Sequence, residues 1–404
     1  MTDPLSATPA GVTQGARDFA WDGNALEPGI ALALSGGGFR AMLFHAGALN
    51  RLNELGLLSK LDRISSVSGG SIASGFLACV WSQLGAADRT GAFANFMQKY
   101  VDPMLAFSRQ KIDVADILTG LLPWTSAAKQ VESSYDDGLF HGATLQSLPD
   151  KPRFVFCSTN LQTGVCFRFS KPYAGDYIVG RLANPDLPLA TAVTASSAFP
   201  PFLSPVVLTP PAGSFTDWPG QPAGAGGLID PAPFRSRVLL ADGGVYDNDG
   251  LEPVVKRYMT LLVSDGGVPF ARTPDVATDP IRQLQHVFGV VYNQVGSLRR
   301  RDLISRYKAS TGLAADKVDP FARFGAYWGI DTDPGKVAPD GALPSTADKV
   351  RQLATLPTRL SDLGQVPSKQ LVNWGYAICD RCVRSHYGVA GPAPTWPYPD
   401  APLG

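Results

Sequence analysis

The stretch Ile30 to Val80, IALALSGGGFRAMLFHAGALNRLNELGLLSKLDRISSVSGGSIASGFLACV, decides the fold. Ile30 to Leu34 is a short unbroken apolar run that stops at Ser35 and three glycines, the pattern of a buried strand ending in a tight loop. Met42, Ala46, Leu49, Leu52 and Leu55 then recur at helical spacing, and Gly56 supplies the stop. Arg63 to Val67 reads as a second strand. Ile72, Phe76 and Cys79 or Val80 put one apolar stripe on a further helix. The unit is therefore strand, glycine loop, helix, strand, serine, helix.

A serine between a strand and a helix can be held in a sharp turn that pushes its hydroxyl out at the carboxyl edge of the sheet. Ser68 stands there, with Gly69 and Gly70 letting the backbone pass close to its neighbours. The new helix aims free N–H groups and its positive end at the same point. The elbow pattern Gly-x-Ser-x-Gly is met by Ser66-Val67-Ser68-Gly69-Gly70 except at its first position. The triple glycine Gly36-Gly37-Gly38 has three readings. Neither G-x-G-x-x-G nor G-x-x-x-x-G-K-[ST] can be written across it, which removes the nucleotide-phosphate cradle. A plain turn into a helix stays open. The third reading is an oxyanion hole, in which each backbone donor is worth roughly 3 to 4 kcal/mol in a transition state; Ser68 one strand away favours it.

Working outward, 404 residues fit a large α/β fold. Hydrophobic residues are 45% and charged residues 17%, below the usual share, so a large core and some apolar surface are expected. Gly 42 and Pro 34 imply long ordered loops. Lys+Arg 35 balances Asp+Glu 35, and no global field recommends nucleic acid or an anionic surface. The first residues lack the basic and apolar regions of a secretory signal, and no apolar run has membrane-spanning length. Five cysteines, an odd number, fit reduced thiols and a cytoplasmic setting. Cys379 and Cys382 form a lone C-x-x-C without further ligands, so no metal or cofactor is expected.

Further along, Gly91 to Tyr100 reads as helical. Val114, Ile117, Leu118, Leu121 and Leu122 lie at helical spacing before Pro123-Trp124, either as a core helix or as an interfacial cap. Arg153–Ser158 and Val165–Ser170 form a hairpin. Leu189–Ser197 is a small-residue helix ended by Pro200-Pro201, and Leu208–Arg235 is a long surface excursion. Val238–Ala241 is a strand ending in Asp242-Gly243-Gly244. Asp242 is either a turn residue or a base, if this strand ends at the edge that presents Ser68. Tyr258–Ser264 ends in a second Asp-Gly-Gly at Asp265, the runner-up base. Ile281, Leu284, Phe288, Val291, Val295 and Leu298 mark a long amphipathic helix, and Arg299-Arg300-Arg301 is a solvated end in preference to a lipid-head site. Asp348–Leu363 is read as the last sizeable helix and Gly391–Gly404 as a loosely held tail.

Together these motifs resemble the patatin-like phospholipase family: Gly36-Gly37-Gly38-Phe39-Arg40, Ser68 within SVSGGS, Ala195-Ser196-Ser197-Ala198-Phe199-Pro200, and Asp242-Gly243-Gly244. The resemblance covers roughly Ile30 to Gly267, and two positions depart from it, Ser66 and Ala41. It implies a three-layer α/β/α fold with a central, mainly parallel sheet. It further implies a metal-free lipid acyl hydrolase with a Ser68–Asp242 dyad and oxyanion donors at Gly36, Gly37 and Gly38. Arg40 would hold the loop or the lipid head group, and Gly69 would contact substrate. Residues 29–390 would be one catalytic domain after an extension over 1–28, with a lipid or acyl ester as partner and peripheral membrane contact admitted. Two rivals remain: a Ser-Asp-His triad using His286 or His386, and an inactive lipid-binding protein. His45 and His141 precede Asp242 and do not fit the triad order.

Overall fold

The computed structural model of the chain describes residues 26–112, 124–201, 203–218, 227–228, 230–313 and 319–404. In chain order the first half runs β1 (Glu27–Leu34), α1 (Gly38–Glu54), β2 (Arg63–Ser66), α2 (Gly69–Val80), α3 (Asp102–Phe107), α4 (Trp124–Tyr135), β3 (Arg153–Asn160), β4 (Val165–Ser170), β5 (Tyr173–Asp176), β6 (Gly180–Ala183) and α5 (Leu189–Ser197). The second half runs β7 (Val206–Leu208), β8 (Phe215–Thr216), α6 (Ala232–Ser236), β9 (Val238–Asp242), α7 (Gly244–Asp247), β10 (Tyr258–Asp265), α8 (Pro280–Ala309), β11 (Phe324–Gly329), α9 (Ala347–Ala354) and α10 (Gln365–Cys382).

One sheet organises them, in the order β11-β10-β1-β2-β3-β4-β5-β6-β8, with β9 and β7 branching from β3. β11, β10, β1, β2 and β3 are parallel, and the strands beyond β3 are antiparallel. The run Ile30–Leu34 is apolar without alternation because both its faces are covered. Leu32, Leu34 and Leu262 pack with Met42 and Leu49 of α1, Ile72 of α2 and Trp374 of α10. Ala31, Ala33, Leu261 and Val263 face the other way, onto Leu251, Val254 and Leu303 of α8. These are the three layers expected.

Several expectations change. The helix expected over Gly91–Tyr100 starts only at Met97, because Phe93 is tied to Asn53 in both directions, Phe93 N–H to Oδ1 at 2.8 Å and Asn53 Nδ2 to Phe93 O at 3.0 Å. The apolar run from Val114 to Leu122 lies outside the described residues. The excursion over Leu208–Arg235 carries β8, α6 and a buried Trp218. The last sizeable helix is α10, which packs along α1; α9 stops at Ala354. A Cβ on Gly47 would lie 1.9 Å from Val372 O, and one on Gly375 1.8 Å from Phe44 O, so these glycines set the closeness of the two helices. Cys379 and Cys382 are buried on α10, and all five cysteines are free thiols. The tail is held: Asn373 Nδ2 donates to Tyr398 O at 2.8 Å and Ala401 O at 2.9 Å, and Leu403 is buried. Arg299 and Arg300 are ion-paired to the sheet side instead of solvated. Among the described residues no helix is long and apolar enough to cross a membrane.

Candidate active site

Ser68 sits between β2 and α2 at φ 50°, ψ −117°. A non-glycine residue there costs about 1 to 3 kcal/mol, so the surroundings must impose it. They do so through Ser196 at the end of α5, whose carbonyl accepts the Ser68 N–H at 3.2 Å and whose hydroxyl accepts it at 3.1 Å. Ser196 Oγ also bonds Cys157 O at 2.6 Å and Ser71 Oγ at 2.8 Å. Ser66, at the departing elbow position, accepts from Ser71 Oγ at 3.0 Å and Ser74 Oγ at 2.7 Å. Its hydroxyl thus ties β2 to α2, and a glycine would lack that link.

Asp242 reaches Ser68 from the opposite direction along the sheet. β9 runs antiparallel to β3, in the lane that β2 occupies further back. Ser66 lies opposite Phe156, and Asp242 lies opposite Ser158, two residues on. The carboxyl ends of β2 and β9 therefore meet head to head beside β3. The end of α5 brackets both: Asp242 N–H donates to Ala198 O at 2.8 Å and Gly243 N–H to Ser196 O at 3.2 Å. The Asp242 carboxylate accepts the Gly244 N–H at 2.7 Å and has the Ser68 side chain as its hydrogen-bonding neighbour. Burial, only partly offset by those two bonds, raises its pKa from 3.8 to about 7.

The glycine loop closes the third side. Gly36 N–H is used by Asn248 O at 3.0 Å, which corrects the expectation that all three glycines offer free donors. The amides of Gly37, Gly38 and Gly69 make no hydrogen bond among the described residues. Gly37 has φ 144°, and a Cβ on Gly69 would lie 2.3 Å from Gly38 O, so the loop and the elbow touch backbone to backbone. Arg40 is fully buried; Nε and Nη2 donate to Gly266 O at 3.2 Å, and Nη1 to Leu356 O at 2.6 Å and Thr358 Oγ1 at 2.9 Å. Head-group contact by Arg40 is corrected, since it has neither exposure nor an uncommitted guanidinium nitrogen. The Ala41 methyl group fits against Gly266, where a Cβ would lie 2.8 Å away.

Asp265 is occupied by Arg300 at 3.1 Å and Tyr327 OH at 2.8 Å. His286 packs on Phe270 and His386 is exposed past α10. His45 bonds Ser264 Oγ and Ser35 O at 2.8 and 2.9 Å, and burial lowers its pKa to about 4. Sequence reasoning missed three neighbours of the site: Ser196, Asn248 and Tyr292. Tyr292, from α8, places its hydroxyl 3.2 Å from where a Gly244 Cβ would stand, and burial with the nearby Asp242 charge keeps it protonated. The apolar spacing that announced α8 held no sign of this inward tyrosine.

A strained serine at a strand-helix elbow, a buried carboxyl group beside it and amides without a hydrogen bond among the described residues are thus brought together on a three-layer α/β/α fold. The chain belongs to the patatin-like phospholipase family, whose sequence model matches residues 32–255. The human GIVD cytosolic phospholipase A2 structure shares the fold: TM-score 0.51 and 14% identity, over 89% of this chain and 59% of that one. VipD from Legionella pneumophila matches with TM-score 0.37 and 14% identity, over 89% of this chain and 67% of that one. A Saccharomyces cerevisiae protein, provisionally named the meiotic phospholipase SPO1, is 46% identical over 44 residues, 11% of this chain and 7% of its own length. This chain therefore covers less than two thirds of the human structure, and the match covers a small fraction of the yeast protein.

Proposed function

We propose that this chain is a lipid acyl hydrolase that uses Ser68 as nucleophile and Asp242 as base. The observation that carries the reading is the convergence of the Ser68 elbow and the Asp242 turn on the end of α5, where the N–H groups of Ser68 and Gly243 both donate to Ser196 O at 3.2 Å; the carboxyl group held there is buried, and its pKa is raised to about 7. A carboxylate at its ordinary pKa is a weak base at neutral pH; one near 7 is matched to the task. Asp242 takes the Ser68 proton as Oγ bonds to the ester carbonyl carbon. The oxyanion forms against the amides of Gly37, Gly38 and Gly69, with the positive end of α2 behind them. Collapse breaks the carbon–oxygen bond, and the departing alcohol takes the proton from Asp242. Water then attacks acyl-Ser68, giving its proton to Asp242, which returns it to Ser68. Passage of the acyl group to an alcohol instead of water would make the same site an acyltransferase.

Ser196 and Arg40 act through others: Ser196 holds the elbow to the Asp242 turn, and Arg40 fixes the glycine loop to Gly266. The family supports a lipid ester as substrate, and the apolar share of the chain agrees with it. The test is hydrolysis of a chromogenic acyl ester by the parent, Ser68→Ala and Asp242→Asn proteins, all folded by circular dichroism. The reading expects turnover in the parent and loss in both variants; retention in either removes that residue from its role.

A further inference from the structure

The first turns of α8 leave Ile281 and Leu284 exposed to solvent, and the later ones are fastened to the segment that follows Asp242. Arg299 pairs with Asp247 at 3.6 Å and Glu252 at 3.4 Å and donates to Tyr246 O at 3.5 Å, while Arg300 pairs with Asp265 at 3.1 Å. Tyr292 lies about two turns before Arg299, on the same face of the helix. A side chain on Gly244 would put its Cβ 2.8 Å from Asn248 Oδ1, 3.0 Å from Asp242 Oδ1 and 3.2 Å from the Tyr292 hydroxyl. The bare Cα of Gly244 thus lets a carboxamide, a carboxyl and a phenol oxygen converge. Asp242 Oδ1 is engaged by the Gly244 N–H at 2.7 Å, whereas the Tyr292 hydroxyl makes no hydrogen bond among the described residues. Desolvation, then the nearby carboxyl groups of Asp242, Asp249 and Asp265, raise the pKa of Tyr292, and Arg40 acts the other way. Its hydroxyl is therefore a neutral phenol at neutral pH, able to donate a hydrogen bond and unfit as a base.

The layout of the site selects the group that this donor meets. The glycine loop and the elbow offer the amides of Gly37, Gly38 and Gly69 to the carbonyl oxygen, so the oxyanion has donors without Tyr292. The Asp242 carboxyl group serves a different oxygen, that of the alcohol, which must approach it to receive the proton first taken from Ser68. Tyr292 stands beside this carboxyl group, across the bare Cα of Gly244. An aliphatic alkoxide is a poor leaving group, and a fixed neutral donor next to it stabilises the charge that grows as the carbon–oxygen bond stretches.

We propose that Tyr292 is a further catalytic residue, whose hydroxyl donates a hydrogen bond to the alcohol oxygen of the ester as that oxygen leaves. The inference rests on the acyl hydrolase reading and deepens it, because such a donor suits esters of ordinary aliphatic alcohols. As the tetrahedral intermediate collapses, the carbon–oxygen bond breaks and its electron pair stays with the alcohol oxygen. The proton comes from Asp242, and Tyr292 keeps its own. Helix α8, through Arg299 and Arg300, holds the phenol in place for this step.

The test compares the full-length parent with Tyr292→Phe, which keeps the ring and removes only the hydroxyl. Two soluble esters of one short acyl group are used, an ethyl ester and a p-nitrophenyl ester, and kcat/KM is read because it reports the steps up to acylation of the enzyme. It should fall at least about tenfold on the ethyl ester and stay within about threefold on the p-nitrophenyl ester, whose oxygen leaves unaided. Phosphonylation of Ser68 by a fluorophosphonate, which expels fluoride, should stay within about twofold of the parent rate and so show an intact elbow. An equal drop on both esters overturns the proposal, since it marks a packing role for the tyrosine. Unchanged rates on both overturn it too, and either result leaves the hydrolase reading standing. A parent that hydrolyses neither ester refutes that reading and the role of Tyr292 with it.

Discussion

Replacing Asp242 with Asn should abolish ester hydrolysis and, at the same time, stabilise the fold at alkaline pH. In the folded protein the carboxyl group titrates near 7 instead of 3.8, a shift of about three units, because ionising it in place forfeits hydration. Between these values the folded chain holds a proton that the unfolded chain has released. Stability therefore falls as pH rises through this window and is lowest above 7. At about 1.4 kcal/mol per unit the ionised carboxylate costs about 4 kcal/mol at pH 8, a sum that vanishes below pH 3.8. The amide of Asn keeps an oxygen for the Gly244 N–H and never ionises. Urea unfolding of both proteins from pH 4 to 8 should show Asp242→Asn gaining on the parent as pH rises, by up to about 4 kcal/mol. A difference that stays flat across that range would mean that Asp242 is not strained by burial, and the argument for it as a tuned base would fail.

Three further outcomes follow from the same geometry. The kcat/KM for a soluble ester should rise about tenfold from pH 6 to 8, following ionisation of a group near 7; a profile governed by a group near 4 contradicts the assignment. His286→Ala and His386→Ala should leave that profile unchanged, since neither histidine supplies the proton path; loss of turnover in either revives the triad. Gly69→Ala puts a methyl group 2.3 Å from Gly38 O, so kcat should fall by about a hundredfold or more as the loop is pushed from the elbow, with melting lowered as well. Unaltered kinetics would show that the two backbones need not touch.

What the sequence disclosed divides along physical lines. The order β1, α1, β2, Ser68, α2 was legible because each step is local: an apolar run, a glycine stop, a helical repeat. The direction of β9 was not, because whether Asp242 arrives with the parallel strands or against them depends on pairing with β3, far away in the chain. The bracket made by Ser196 was hidden for the same reason, although the ASSAFP run marked its place. Helix α10 escaped because it is buried on nearly every side, so Trp374, Tyr376 and Ile378 crowd it without a polar face to set the period. Periodicity misled at α8 in the opposite sense: it correctly announced a helix but could not say whether the apolar stripe faced the core or the solvent. The tail looked loose from its prolines, and Asn373 holds it through backbone carbonyls that composition does not reveal.

In the proposed reaction the elbow hydroxyl of Ser68 is the group that takes the acyl chain. Labelling the full chain with a fluorophosphonate and locating the adduct by peptide mass spectrometry tests it directly. A single phosphonylated residue, Ser68, is expected, at a rate that collapses in Asp242→Asn. Label on another serine, or none on a folded parent that still hydrolyses esters, would contradict it.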